Sequence, residues 1–200
     1  MGSNNDISLK ALAKINLGLD VVRRREDGYH EVRMIMQTIQ LYDRLDIKRT
    51  QESGIQIQTN LSFLPVNENN LIYKAAKLLM DEFSITDGVS VKLDKRIPVA
   101  AGMAGGSTDA AAMLIGVNRL FSLGLTKREL MERGVQIGAD VPYCIMRGTA
   151  LAEGIGEALS PLPPMVKCPV LIAKPSISVS TKFVYQNLKL DGTTIHPDID

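Results

Sequence analysis

A run of small residues, PVAAGMAGGSTDAAA at positions 98–112, limits the possible folds more than any other part of the sequence. A strand-like pattern, VSVKLDKRIP, precedes it, and an Ala-rich helical pattern follows. Glycine lets the backbone approach a ligand closely, and the free N–H groups of a helix N-terminus suit phosphate. We expect Ser107 to be the N-cap. The order of strand, loop and helix predicts a phosphate-binding loop. A plain turn that allows tight helix packing is the alternative.

The loop matches neither of the two commonest phosphate-binding motifs. A Walker loop needs Lys after its last glycine, whereas Gly106 is followed by Ser107. The dinucleotide motif needs G-x-G-x-x-G, which Gly102, Met103 and Ala104 interrupt. If the loop binds phosphate, it therefore does so with neither of these two motifs.

Composition excludes several classes of protein. The 200 residues are 45% hydrophobic with a net charge of +1, which indicates a globular chain without a bulk charge that attracts nucleic acid or a membrane. Cys144 and Cys168 are expected to be reduced core thiols. With His30 and His196 as the only histidines, no zinc site is expected. The sequence has neither a signal peptide pattern nor a long apolar run, so we expect a cytoplasmic protein.

The first third of the chain is rich in strand patterns. KALAKINLGLD alternates strictly, with one apolar face: Ala13, Ile15, Leu17 and Leu19. Lys14 and Asn16 share the other face, which is either an exposed edge or one wall of a cleft. REDGYHE predicts a hairpin turn, and further strands are expected in MIMQTIQL, RLDIKR and IQIQT.

Helices and strands mix in the remainder. NENNLIYKAAKLLMDEF has helical spacing with an Asn N-cap. Thr126 and Glu129 predict a capping box for a helix through Gln136. TALAEG and PVLIAK are expected to be strands. Without regular alternation of strand and helix, this order predicts the α+β class.

Asp140 stands in a small, apolar segment, GADVPYC, before a Val-Pro pair that favours extended backbone. A single Asp in such a place is usually a helix cap or a turn former. The alternative is a carboxylate that takes a proton during catalysis.

Six motifs together resemble the galactokinase, homoserine kinase, mevalonate kinase and phosphomevalonate kinase (GHMP) superfamily. They are AKINLGL, EDGYHE, NLIYKAA, IPVAAGMAGGSTDAAA, IGADVPY and EGIGE, in the order and spacing of that superfamily, from Ala11 to about Tyr185. DGYH and GADVP are similar to the branch whose acceptor is 4-diphosphocytidyl-2-C-methyl-D-erythritol.

The resemblance implies an ATP-dependent kinase that phosphorylates the 2-hydroxyl of this acceptor in non-mevalonate isoprenoid biosynthesis. It implies that Asp140 is the catalytic base and that Lys14 is its partner, whose charge offsets the developing alkoxide. ATP with Mg²⁺ is implied as well. Asp109 is not identified as a metal ligand, and we expect it in the first turn of the helix, complementing the dipole.

The resemblance also implies the binding residues. The acceptor is expected to contact Asn16, Tyr29, His30 and Tyr185, with aromatic rings against the cytosine. Asn70 is expected near the adenine. The expected ATP phosphate loop comprises Pro98, Val99, Ala100, Ala101, Gly102, Met103, Ala104, Gly105, Gly106, Ser107 and Thr108. Ser107 and Thr108 would add hydroxyl contacts. The loop departs from the Gly-Leu-Gly-Ser-Ser core of the superfamily, and Ala104 fits there without strain if its φ is negative.

The fold implied is the α+β N-terminal lobe of GHMP kinases, which resembles the second domain of ribosomal protein S5. Residues 1–165 would form this ATP- and substrate-binding lobe, and residues 166–200 would begin a C-terminal lobe that is largely missing. The activity of the 200-residue chain is therefore left open. We expect small-molecule partners, no nucleic acid or membrane, and a monomer or homodimer.

Three alternatives stay open. A related kinase would use the same loop with homoserine, a mevalonate or a sugar. A truncated chain would bind nucleotide without turnover. An RNA-binding module would need a basic groove with aromatic side chains, whereas aromatics make up 4% of the sequence and the VVRRRED cluster contains its own acids.

Overall fold

The computed structural model describes residues 5–175, 177, 180–190, 196–197 and 199. Its elements, in chain order, are β1 (Asp6–Arg24), β2 (His30–Thr50), β3 (Ile55–Thr59), α1 (Leu71–Glu82), β4 (Gly88–Asp94), α2 (Gly105–Leu120), α3 (Lys127–Gly134), α4 (Val141–Met146), β5 (Thr149–Glu153), β6 (Ala158–Pro161) and α5 (Thr181–Gln186). None of the described helices is both long enough and apolar enough to cross a membrane.

The strands form one mixed sheet. Its order is β3-β4-β2-β5-β6, and β1 pairs with β2 as an antiparallel hairpin. The parallel strands β3 and β4 are joined through α1, and the other pairs are antiparallel. This arrangement confirms the α+β prediction.

Helices cover one face of the sheet, as the alternation along β2 shows. Leu45 and Ile47 are fully buried and pack in one cluster with side chains of α1 and α2. Arg44, Asp46 and Lys48 point to the opposite face, where they line an open polar surface. One face against helices and one face towards water is the usual arrangement of an antiparallel sheet.

The strict alternation expected along β1 holds only as far as Ile15. The register of β1 against β2 shifts between Leu12 and Lys14 and again between Asn16 and Gly18. A bulge moves the following side chains to the other face. Leu17 is consequently 48% exposed, and Lys14, expected on a polar face, is buried.

Several local predictions are confirmed. Asn70 caps α1, and Thr126 with Glu129 forms the capping box of α3, which ends at Gly134 rather than Gln136. The hairpin turn lies at Gly28, whose φ is 84°.

Other local predictions are wrong. MIMQTIQL and RLDIKR are parts of one long strand, β2. The segment PVLIAK lies outside the helices and strands, although TALAEG contains β5. Cys168 is exposed, so only Cys144 is a core thiol. Val141, expected to be extended before Pro142, is the first residue of α4, where proline is tolerated in the first helical turn. The division at residue 165 stays a prediction.

Candidate active site

A cleft of about 650 Å³ opens along the segment between β4 and α2. Most of the residues singled out from the sequence line it. The predicted site residues among its walls are Lys14, Asn16, Asn70, Pro98, Val99, Ala100, Ala101, Gly102, Met103, Ala104, Gly105, Gly106, Ser107, Asp140 and Tyr185. The structure thus brings together side chains that are up to 171 residues apart in the chain.

The glycine loop has an alternating backbone conformation. Ala100, Gly102 and Ala104 have φ values of 54°, 68° and 55°. Ala104, rather than Ser107, is the N-cap of α2, so the prediction for Ser107 is wrong. The φ of Ala104 is positive, so the condition for an unstrained alanine is not met. Left-handed residues in a loop can turn neighbouring N–H groups to one side, which suits an anion. Two alanines in this region are strained, and such strain is typical of functional sites.

Two hydrogen bonds tie this loop to strand β1. The Lys14 N–H donates to the Met103 carbonyl at 3.2 Å, and the Thr108 hydroxyl donates to the Leu12 carbonyl at 2.8 Å. Thr108 is buried, and its hydroxyl serves this structural contact. A phosphate contact of Thr108 stays a prediction, whereas Ser107 lines the cleft.

Lys14 and Asp140 meet at one end of the cleft. The Lys14 Nζ lies 4.0 Å from Asp140 Oδ1 and donates to Asn16 Oδ1 at 3.1 Å. Lys14 is almost fully buried, whereas about a third of the Asp140 side chain is exposed. Asp140 stands at the N-cap of α4, yet its side chain makes no capping hydrogen bond there. The role of helix cap is therefore not realised, and the carboxylate faces the cleft.

Buried side chains of α4 hold Asp140 in place. The Tyr143 hydroxyl donates to the Gly148 carbonyl at 2.6 Å and lies 3.0 Å from Thr38 Oγ1. Burial raises the pKa of Tyr143 to about 12, so the donor keeps its proton. Burial, together with the charge of Asp140, raises the pKa of Cys144 to about 12 as well. Cys144 is therefore a packing residue rather than a thiolate nucleophile.

The residues expected around the cytosine are only partly assembled. The rings of His30 and Tyr185 contact each other, with centroids 5.1 Å apart and planes at 59°. A flat base therefore has room against an outer face of this pair, not between the two rings. Tyr29 is 61% exposed at the hairpin turn and lies outside the cleft lining.

Asn70 lies in the cleft, but both ends of its amide are used by the protein. Its Oδ1 accepts the Ile72 N–H at 2.9 Å, and its Nδ2 donates to the Pro65 carbonyl at 2.7 Å. Beside it, the side chains of Leu64, Leu71 and Leu93 give this part of the cleft an apolar wall. Such a wall suits a flat ring.

Sequence reasoning missed two charged residues and misplaced a third. Lys95, Asp43 and Asp109 form a buried ionic cluster beneath the glycine loop. Asp109 lies in the second turn of α2 and binds Lys95, so the prediction of a first-turn residue that complements the dipole is wrong. Asp43 and Lys95 are 52 residues apart, and no local pattern links them.

The comparisons with known proteins agree with this geometry. Residues 70–148 match the GHMP kinases N terminal domain. The chain is 64% identical to 4-diphosphocytidyl-2-C-methyl-D-erythritol kinase of Lachnoclostridium phytofermentans and 62% identical to that of Lachnospira eligens. Each alignment covers 97% of this chain and 67% of the relative. The chain therefore spans about two thirds of the length of these relatives.

Solved structures show the same fold. A crystal structure of 4-(cytidine 5'-diphospho)-2C-methyl-D-erythritol kinase is similar, with a TM-score of 0.76 and 35% identity over 92% of this chain and 65% of that one. Homoserine kinase from Cytophaga hutchinsonii has a TM-score of 0.69 at 18% identity over 95% of this chain and 62% of its own. The second similarity concerns the fold alone.

Proposed function

We propose a function on the basis of family: the chain belongs to the 4-diphosphocytidyl-2-C-methyl-D-erythritol kinases, within the GHMP kinases. We infer that it carries the ATP-binding and acceptor-binding part of such an enzyme. The reaction is the transfer of the γ-phosphoryl group of ATP to the 2-hydroxyl of 4-diphosphocytidyl-2-C-methyl-D-erythritol, a step of non-mevalonate isoprenoid biosynthesis. One observation carries the proposal: the Asp140 carboxylate, which makes no capping hydrogen bond, lies beside the buried Lys14 in the same cleft as the glycine loop.

Asp140 is the proposed base. Its carboxylate receives the proton of the acceptor hydroxyl while the hydroxyl oxygen attacks the γ-phosphorus and the bond to the ADP oxygen breaks. Lys14 is close enough to share its positive charge between Asp140 and the oxygen that becomes an alkoxide. Asn16 fixes the direction of the ammonium, since its Oδ1 accepts one of the three Lys14 protons.

The glycine loop is the proposed site of the ATP phosphates. N–H groups around Ala100, Gly102 and Ala104, together with the start of α2, offer donors and a partial positive charge. Ser107 adds a hydroxyl. The adenine is proposed to lie against the apolar wall beside Asn70. The Asn70 amide fixes the backbone at Pro65 and Ile72 and is not assigned a hydrogen bond to the base.

Magnesium is part of the proposal, as a companion of the nucleotide. The described residues contain no group of three or more acidic, His or Cys side chains that would hold a metal by themselves. Mg²⁺ usually takes one or two protein oxygens and completes its shell with phosphates and water. The Ser107 hydroxyl and the Asp140 carboxylate are oxygens of this kind in the cleft, and the ion would neutralise charge on the phosphates.

The acceptor's cytosine is proposed to stack against His30 and Tyr185. The part played by Tyr29 stays a prediction. We also propose a cytoplasmic enzyme, since ATP and cytidine nucleotides are found there, and a monomer or homodimer.

The direct test is ATP-dependent phosphorylation of 4-diphosphocytidyl-2-C-methyl-D-erythritol, with homoserine, mevalonate and galactose as competing acceptors. It is run on the 200-residue chain and on a version extended to the length of the relatives. Phosphorylation of the cytidyl acceptor alone supports the proposal. Turnover by the longer version alone means that further residues complete the site, and turnover of another acceptor contradicts the proposed substrate.

A further inference from the structure

Three buried charged side chains lie directly beneath the glycine loop. Lys95 Nζ donates to Asp109 Oδ2 at 2.7 Å and also to Asp43 Oδ2. All three residues are at most 7% exposed. Burying three charges is costly unless each finds partners, so the arrangement needs an explanation beyond packing.

The cluster joins the two ends of the loop. On the strand side, Asp43 Oδ1 accepts the backbone N–H groups of Arg96 and Ile97, at 2.5 and 2.8 Å, just before the loop begins at Pro98. On the helix side, Asp109 stands one turn after Gly105, the first residue of α2. Lys95 connects both carboxylates. A displacement at either end of the loop therefore breaks an ionic contact.

Lys95 also lies against the loop itself. A Cβ added to Gly105 would stand 2.9 Å from Lys95 Nζ and 3.2 Å from Ile97 Cγ2. Glycine at this position therefore lets the ammonium reach the start of α2. Asn60 fixes the backbone of Lys95 from the far side, because its Oδ1 accepts the Lys95 N–H at 2.8 Å and its Nδ2 donates to the Lys95 carbonyl at 3.0 Å.

The second oxygen of Asp109 is unusual. Asp109 Oδ1 is buried and has no hydrogen-bond partner among the described residues. Burial raises the pKa of Asp109 well above its ordinary value, and the neighbouring charge of Asp43 acts in the same direction, against the attraction of Lys95. The oxygen that Lys95 does not contact therefore adds to the cost of keeping Asp109 charged inside the protein.

We propose that Lys95, Asp43 and Asp109 are positioning residues that hold the glycine loop in its strained conformation for the triphosphate of ATP. The inference rests on the proposed function. Residues with positive φ such as Ala100 and Ala104 persist only where the surrounding structure enforces them. The cluster supplies this enforcement at both ends of the loop.

The test compares nucleotides with and without phosphates. Asp109→Ala removes the anchor on α2, and Asp109→Asn keeps an oxygen that can accept from Lys95. We expect Asp109→Ala to weaken binding of a non-hydrolysable ATP analogue about tenfold, a loss on the scale of one hydrogen bond to a charged group. Binding of adenosine, which lacks phosphates, stays unchanged, and Asp109→Asn restores the ATP affinity to within about threefold.

Asp94→Ala is the matched control. Asp94 belongs to the same strand end but pairs with Arg96 on the surface, so its removal leaves both affinities unchanged. If Asp109→Ala does not fold, Asp43→Asn takes its place. This change keeps the volume and the acceptor for the Arg96 and Ile97 N–H groups, and we expect about a threefold loss for ATP alone.

Two results would overturn the inference. Unchanged ATP affinity means that the cluster does not hold the loop, and an equal loss for ATP and adenosine means that its role is general folding. If neither the 200-residue chain nor the version extended to the length of the relatives binds the ATP analogue, the proposed function itself is contradicted. The failure of the two proposals can thus be told apart.

Discussion

The cleft contains two lysine–aspartate pairs of opposite character. Lys95 and Asp109 are 2.7 Å apart with both side chains about 4% exposed, and Asp43 adds a second carboxylate. Lys14 and Asp140 are 4.0 Å apart, and a third of the Asp140 side chain is exposed. The group of Lys95, Asp109 and Asp43 is closed to solvent, whereas the pair of Lys14 and Asp140 is open to the cleft on the side of Asp140.

This difference separates a carboxylate that holds structure from one that can react. Two oxygens of Asp43 are occupied by Lys95 and by two backbone N–H groups, so it has no place for a substrate proton. Asp140 keeps lone pairs directed to the cleft, with one loose ionic contact. A base must be within reach of the proton it takes, and the exposed carboxylate of these two pairs is that of Asp140.

The largest effect is expected for Asp140→Asn. The amide cannot take the hydroxyl proton, so kcat falls about 10²- to 10⁴-fold, while ATP binding, which depends on the glycine loop, stays within about twofold. Steady-state kinetics and ATP titration measure the two effects separately. Asp94→Asn on the surface is the control. A variant with unchanged kcat would remove Asp140 from the reaction.

Lys95→Met tests the closed group. It leaves Asp43 and Asp109 buried without their cation, which costs about 3–5 kcal/mol of unfolding free energy. Denaturant unfolding monitored by circular dichroism gives this number. A loss below about 1 kcal/mol would show that the cluster contributes no more than a surface ion pair.

Lys14→Met is the corresponding change in the open pair. Methionine has a similar length and suits the buried site, so the unfolding free energy changes by less than about 1 kcal/mol. The positive charge beside the developing alkoxide is lost, so kcat falls about 10²-fold. If Lys14→Met loses as much stability as Lys95→Met and keeps its turnover, the proposed difference between the two pairs is contradicted.

The pH dependence of stability should reflect Asp109. Its pKa is raised in the folded protein, mainly by burial, so its contribution to stability is fully present below the unfolded pKa of about 4 and is lost as the pH rises through the folded pKa. Unfolding free energies of the wild type and Asp109→Asn, measured from about pH 4 upwards, should diverge in favour of the variant. Parallel curves would contradict the raised pKa.

Ala104→Gly has the smallest expected effect. Relief of the left-handed strain, about 1–2 kcal/mol, is partly offset by the greater freedom of glycine in the unfolded chain, about 0.4–1 kcal/mol. We expect a net stabilisation of about 0.5–1 kcal/mol in thermal or chemical unfolding. Gly102→Ala, at a φ of 68°, is the reverse change and should destabilise.

The sequence was sufficient for features set by local pattern. The helix caps at Asn70 and Thr126 depend on side chains within three residues, and the small residues of the glycine loop are contiguous. Lys14 and Asp140 were identified through the family motifs. Their different degrees of exposure and the missing cap at Asp140 came from the structure.

The features that the sequence did not predict depend on contacts between distant segments of the chain. Nothing near Asp43 in the sequence indicates that it binds Lys95, and the buried hydroxyl of Thr108 is set by strand β1. The positive φ of Ala104 was missed because alanine in this conformation is unfavourable on its own and exists only within the assembled loop.

The first two of the three shifts of register in β1 bear on how such a cleft changes during evolution. They lie on either side of the segment that includes Lys14 and Asn16. Removal or insertion of one residue at a shift turns every later side chain of the strand to the other face. A single codon lost or gained beyond Asn16 would thus exchange the side chains nearer the hairpin turn, and leave Lys14 and the glycine loop in place. Under the proposed function, the side chains that face the acceptor can therefore change on this strand independently of the residues assigned to phosphoryl transfer.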